Sequence, residues 1–558
     1  MIAALLFAAC DGDSNTGIET SVTLSSDSVD VMIGNTTTVT ATVTNGNGAP
    51  LFVSRNNAVA LVSGTGTITG VAPGSTYVVA TVGSAHDSVR VVVKPFALAQ
   101  DSVVVQVGGS TTVTAPGGAL PVTFVSRNQN VAQVSSAGTI TGVSTGVTFV
   151  VATAGNLSDS VRVRVTTPSG GSQPIAIPLL GTGVVAERYT AEVAANGNVA
   201  YTTTWGSRSG NRGDAIKIWD VAGNTPVLAD SIILPGVGTV SDVQISDDGA
   251  LLVVSTEGAN TAQNMGLTIF SRANPTRPTQ LSRFFSANTT AGIHTVKLGR
   301  VNGKLYAVGA GNNARMIIVD ISNPAQPVEV NVTPVLGGSI HDVFVRDGII
   351  FAGFWSAGMH VYDIGGAGRG GTPASPVFLG SIVTNTCKVC GAGARVHNIW
   401  WFHDPTTGQK KYAFVGEEGP GSVGSQISTG AIHVVDVTDY ANMREVAAYE
   451  PDPATTANQQ NAGAHNFVMD EPSGILYAAY YNAGVRALDV RGDLSSCTAA
   501  QKTADGRCDL LLMGREVGIG VSSGPPKYTW GVAMVGNRLY ASDMWNGIFK
   551  LDISALKR

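Results

Sequence analysis

The sequence predicts an all-β protein, two β-sandwiches followed by a seven-bladed β-propeller. Three features of the chain point to it. Charged residues are only 13% of the 558 residues, and Gly (68 residues), Val, Thr, Ser and Asn fill most of the rest, the vocabulary of strands and tight turns. Long apolar patterns at a 3.6-residue period are missing, which argues against helices. Two internal repeats of different period divide the chain.

The N-terminal segment comes first. Met1-Ile-Ala-Ala-Leu-Leu-Phe-Ala-Ala-Cys10 is apolar, ends in small residues and a cysteine, and is followed by Gly, Asp, Ser and Asn. It resembles the end of a bacterial lipoprotein signal peptide, and the resemblance implies Cys10 as a lipid anchor on the membrane. No run of eighteen apolar residues exists to form a membrane-spanning helix. The net charge of −5, with no basic stripe, argues against nucleic acid as a partner.

The first repeat pairs Phe52-Val-Ser-Arg-Asn56 with Phe124-Val-Ser-Arg-Asn128, and Gly66-Thr-Ile-Thr-Gly-Val71 with Gly138-Thr-Ile-Thr-Gly-Val143. Val78-Val-Ala-Thr81 recurs as Val150-Val-Ala-Thr153, and Asp87-Ser-Val-Arg-Val91 as Asp159-Ser-Val-Arg-Val163, all at an offset of 72. Short alternating strands between Gly and Asn turns suit a small sandwich. The pattern resembles the bacterial Ig-like domains of group 2, which implies Ig-like β-sandwiches serving as surface spacers or adhesion modules. The reading divides the chain into a signal and linker (1–19), Ig-like domains at 20–95 and 96–166, a linker at 167–174 (Thr-Pro-Ser-Gly-Gly-Ser-Gln-Pro) and a propeller at 175–558.

The second repeat is carried by strands that end in Asp: Ile216–Asp220, Met316–Asp320, Met359–Asp363, Ile432–Asp436, Val485–Asp489 and Ile548–Asp552, with Leu267–Ser271 as a variant. Each follows two other strands and precedes a fourth, which makes seven four-stranded blades. The last blade lacks its outer strand, and Ile175-Ala-Ile-Pro-Leu-Leu180 is expected to supply it. Met316-Ile-Ile-Val-Asp-Ile-Ser-Asn-Pro324 resembles the LVIVD repeat of surface propellers, a family that implies a cell-surface setting and no established reaction.

Propeller topology gathers the starts of the inner strands and the hairpins between second and third strands at one mouth of the channel. His294, His341, His397 and His465 start the inner strands of the third to sixth blades; Ala191, Ser241 and Trp530 take that place in the others. Trp205, Trp355, Tyr481 and Trp545 lie on the hairpins, and Asp342, Asp242, Glu192, Glu417 and Glu418 lie near them. An arc of imidazoles could hold zinc or copper, the aromatics could stack on a glycan or peptide, or each His could hydrogen-bond the backbone of the neighbouring blade. His360 and His433 are read as packing residues, His403 as solvated, and His86 is given no role. Cys387 with Cys390, and Cys497 with Cys508, are expected to form disulfides, zinc being the alternative.

No Gly-x-Ser-x-Gly stands on a strand-to-helix turn, and no His-Glu-x-x-His or phosphate-cradling glycine loop is present, although a carboxylate pair of Glu417 and Asp342 stays open as glycosidase chemistry. The expected function is therefore a cell-surface binding or scaffold protein with an unknown protein, peptide or glycan ligand and no cofactor. The alternative is a metal-dependent extracytoplasmic enzyme using the four histidines.

Overall fold

The computed structural model describes residues 20–166 and 174–557, apart from 95, 101, 116–120, 145, 156, 207–209, 211, 259–264, 335–337, 385–394, 419–429, 453–462, 504 and 522–526. Cys10, Cys387, Cys390 and most of the 167–174 linker lie outside the described residues.

Each N-terminal domain is a sandwich. In the first, Ser28–Met32, Ala85–Lys94, Gly74–Val82 and Leu51–Ser54 form one sheet and Thr36–Thr38, Thr67–Gly70 and Ala60–Val62 another. The second domain repeats this arrangement from Ser102–Gln106 to Leu157–Thr166. The repeated residues have matching physical duties. Asp87 Oδ2 accepts the Leu24 N–H at 2.8 Å, and Asp159 Oδ2 accepts that of Leu98 at 2.8 Å, tying the first segment of each domain to its last strand. Gly66 and Gly138 have φ near +80°, and a Cβ there would meet the carbonyls of Val39 and Val113 within 2.4 Å. Val39 and Val113 differ by 74, not 72, so two residues are lost between them and Phe124.

Among the described residues, 175–557 form seven sheets whose inner strands neighbour one another in turn, the first also lying beside the last. The repeated Asp explains the third strands. In six sheets its carboxylate accepts the backbone N–H two residues on, at 2.8–3.1 Å, and in the second sheet Ser271 does the same at 3.3 Å. This side-chain turn ends the strand and reverses the chain toward the outer strand. Asp363 goes furthest and accepts the N–H groups of Gly365, Gly366, Ala367, Arg369 and Gly371.

The segment after the linker differs from expectation. Ile175–Ala176 runs parallel to Glu516–Gly520 on the sixth sheet, and Leu179–Gly183 completes the seventh by pairing antiparallel with Gly547–Asp552. Pro178 separates the two, because a residue without an N–H cannot continue a ladder. The fifth sheet gains an extra strand, Cys508–Asp509, at the end of a loop closed by the Cys497–Cys508 disulfide.

That strand also meets the second sandwich. Arg162 and Arg164 are two residues apart on Leu157–Thr166. Arg162 pairs with Glu450 at 3.0 Å, and the buried Arg164 pairs with the buried Asp509 at 3.1 Å and donates to the Glu450 carbonyl. Removing one partner of a buried ion pair costs about 3–5 kcal/mol. Arg164→Ala is therefore expected to lower the unfolding midpoint of the second sandwich in scanning calorimetry, and an unchanged trace would show that this pair does not hold the domains together.

Burial acts to raise the Asp363 pKa, but the backbone N–H groups outweigh it and hold the carboxyl down at about 2. A depressed pKa stabilises the fold above the unfolded value near 3.9 and loses that effect as the pH falls toward 2. Asp363→Ala is expected to cost about 2 kcal/mol at pH 7 and to flatten the acid limb of stability measured by urea unfolding between pH 5 and 2.

Candidate functional site at the mouth of the ring

The inner strands are irregular where the histidines sit. Ladder register shifts at Ile293/Thr295 and Val396/Asn398, and at the matching points of the first, second and seventh sheets. Such a bulge takes a residue out of regular pairing and re-aims its side chain. His341 and His465 lie just ahead of their strands, Asp342–Arg346 and Phe467–Asp470, and their N–H groups bond Gly353 and Ala479 on the second strands.

The four imidazoles form one continuous arc. Ring centroids are 4.4 Å apart for His294 and His341, 4.1 Å for His341 and His397, and 4.0 Å for His397 and His465. His294 Nδ1 lies 2.6 Å from Glu257 Oε1, and its Nε2 lies 3.1 Å from His341 Nε2. Glu418 Oε2 is 4.0 Å from the Nε2 atoms of both His341 and His397. His397 is 1% exposed, and neither of its nitrogens has a hydrogen-bond partner among the described residues. His465 instead directs Nδ1 to the Trp530 carbonyl of the next blade at 2.6 Å. Burial, with His465, His341 and His294 nearby, pushes the His397 pKa well below the usual value, and burial lowers that of His465 to about 3. Both rings are therefore neutral at pH 7.

Aromatic rings cover the arc. Trp355 stacks on His341 at 4.9 Å, Tyr481 lies 5.1 Å from His465, and Trp205 lies 6.0 Å from His294. Trp545 touches Tyr528 rather than a histidine. Trp355 and Tyr481 have φ of +44° and +39°, uncommon and strained for bulky residues. Each makes a bridge to the next blade's inner strand, to Val396 and Thr529, which holds the strained turn in place. The Tyr481 hydroxyl donates to Glu418 Oε1.

Asp342 belongs to a second tier. Lys297 Nζ stands 3.2 Å from Asp242 and 3.8 Å from Asp342, and Glu192 accepts from Asn466. Burial raises the Asp342 and Glu192 pKa values. Glu417 is engaged elsewhere, against Thr384 and His433, so it and Asp342 serve different networks. His433 is not a packing residue. It is buried between Glu445, 2.5 Å from Nδ1, and Glu417, 3.3 Å from Nε2, and Arg507 also pairs with Glu445. His403 is half-buried against Trp401 rather than solvated, and desolvation lowers its pKa to about 4. His360 packs on Phe354 and Phe378. His86 is exposed in the first sandwich. Glu257 escaped the sequence reading. The only signal for it is an acid on the second blade's hairpin, where other blades carry Trp205 or Glu417.

With this geometry in hand, the comparisons with known proteins divide the chain as its repeats do. Residues 19–93 and 92–165 match the bacterial Ig-like domain (group 2), and residues 301–333 and 526–556, which lie in the third and seventh blades, match the LVIVD repeat. The sandwiches are bacterial Ig-like domains, and the ring carries LVIVD repeats. The chain is also similar to the crystal structure of Saccharomyces cerevisiae Sqt1, at 9% identity and a TM-score of 0.42, over 69% of this chain and 87% of that one. No curated protein matches it. Together with the Cys497–Cys508 disulfide, Ig-like domains and LVIVD repeats are the marks of an extracytoplasmic protein.

In the fifth blade of the LVIVD ring, burial works to lower the His433 pKa, and Glu417 and Glu445 outweigh it, raising it to about 10. Its charge stabilises the fold fully below the unfolded value near 6.5; the contribution declines above that and is gone beyond pH 10. Breaking the cluster with His433→Gln is expected to cost about 3–5 kcal/mol at pH 6. Urea midpoints from pH 6 to 10 should fall in the parent and stay flatter in the variant.

Proposed function

We propose that this is an envelope-held binding protein, anchored by a lipid on Cys10, in which the Ig-like pair presents the LVIVD ring and the histidine mouth receives the ligand. The observation that carries the reading is His397, enclosed at 1% exposure with both nitrogens unpartnered. A buried polar group left without a hydrogen bond costs about 1–3 kcal/mol. Residues that conflict with local stability in this way gather where a ligand will later satisfy them. The strained Trp355 and Tyr481 turns beside it support the same reading, because they hold flat aromatic surfaces over the arc. The docked Arg164–Asp509 pair supports the presenting role of the second Ig-like domain.

The test compares two histidines of one arc in protein freed of small ligands by chelation and dialysis. His397→Leu removes two unsatisfied nitrogens and is expected to raise the stability of the ring by about 1 kcal/mol in urea unfolding. His465→Leu removes the bond to the Trp530 carbonyl and is expected to lower it by a similar amount. If His397→Leu also destabilises the ring, the imidazole is a structural part and the binding reading falls.

A further inference from the structure

We infer that His341, His397 and Glu418, with His294 as the fourth group, form a binding site for a divalent transition-metal ion. The inference rests on the mouth being a ligand site and names the ligand.

The donor set is the first reason. His341, His397 and Glu418 each offer one ligand atom, and the three atoms lie within 4.8 Å of one another. Ligands bonded to a tetrahedral zinc ion at about 2.0–2.1 Å are about 3.3–3.4 Å apart. The 4.0 Å spacings from Glu418 Oε2 to the two imidazoles therefore need to shrink by about 0.6–0.7 Å, within reach of side-chain rotation. His294 Nε2, 3.1 Å from His341 Nε2, is already at ligand-to-ligand spacing. Imidazole with one carboxylate suits zinc and copper rather than calcium or magnesium, which prefer all-oxygen sites.

The surroundings are the second reason. Metal-bound histidines commonly give their other ring N–H to a carboxylate, which fixes the tautomer. Glu257 stands 2.6 Å from His294 Nδ1, and is itself positioned by Ser241 and by Asn312 at 2.9 Å. A proton held on Nδ1 leaves the Nε2 lone pair of His294 facing His341. On the other side, the Tyr481 hydroxyl bonds Glu418 Oε1 and so turns Oε2 toward the imidazoles. Both flanking carboxylates thus aim their partner groups at one point.

Two observations separate this point from an ordinary polar cluster. His397 is enclosed with no hydrogen-bond partner at either nitrogen, which a structural imidazole would have. His465, the remaining member of the arc, is instead committed to the Trp530 carbonyl of the next blade. His341 and Glu418 keep 18% and 20% of their side-chain surface exposed, so an ion can enter from the mouth.

The experiment uses the chain from residue 20 onward, without a His tag, stripped by EDTA and loaded separately with Zn2+, Cu2+ or Co2+. Elemental analysis after desalting is expected to give one ion per chain, and Co2+ to show the visible absorption of a low-symmetry four-coordinate centre. Glu418→Gln, a nearly isosteric change at a partly exposed position, is expected to weaken binding at least tenfold without loss of fold; His341→Ala should abolish the stoichiometric ion. Glu257→Gln should weaken binding about 10- to 100-fold, as outer-shell partners do. His86→Ala, in the first Ig-like domain, should change nothing. No ion at micromolar metal, or an ion retained in both Glu418→Gln and His341→Ala, overturns the inference. If His397→Leu stabilises the ring but no metal binds, the mouth takes a different ligand and only the metal assignment fails.

Discussion

Backbone pairing between Leu179–Gly183 and Gly547–Asp552 joins the beginning and end of the ring in one sheet, and the histidine mouth depends on it. Without that strand the seventh sheet would keep an open edge, and the inner strands of the first and last blades would have no reason to lie together. With it, the inner strands of the first and last sheets lie side by side, and Asn466 of the sixth blade reaches Glu192 of the first. Pro178 sharpens the arrangement. It ends the short parallel pairing with the sixth sheet and lets the chain step across to the seventh.

The mouth is costly to build. Neutral, enclosed imidazoles, two bulky residues in left-handed turns and a tier of buried carboxylates on Lys297 all work against stability. The surrounding sheets compensate with regular features: Asp turns on six third strands, nearly complete ladders and apolar layers between blades. The contrast between His465, bonded to the next blade, and His397, without a hydrogen-bond partner among the described residues, shows that one repeat position is satisfied differently in different blades.

The disulfide-closed loop ties three parts of the protein together. Cys508–Asp509 extends the fifth sheet, Arg507 joins Glu445 in the His433 cluster, and Asp509 receives Arg164 of the second Ig-like domain. The fifth blade, which also carries His397 and Glu418, is thereby braced from outside by covalent and ionic contacts. The second sandwich is consequently docked on the ring through its last strand, rather than joined only by the linker that precedes residue 175.

Much of the fold was legible because repeats and strands are local. Four motif pairs at one offset marked the Ig-like domains, and the Asp-ended strands marked the blades, since an Asp turn needs only the next two residues. The convergence of His294, His341, His397 and His465 followed from counting strands. Other features depended on contacts between distant residues. Glu257 and Glu418 became partners of the histidines only through hairpins on neighbouring blades, and His433 became a charged residue only because Glu417 and Glu445 flank it across the sheet. The bulges at the strand starts were hidden too, because alternation assumes regular pairing. By itself the sequence determined the all-β architecture, its repeats and the face on which the histidines lie, since strand patterns and turns are short-range. Tertiary structure alone decided which imidazoles are bonded, which are left bare and which carboxylates aim at them, because burial and side-chain distance arise only when separate blades meet.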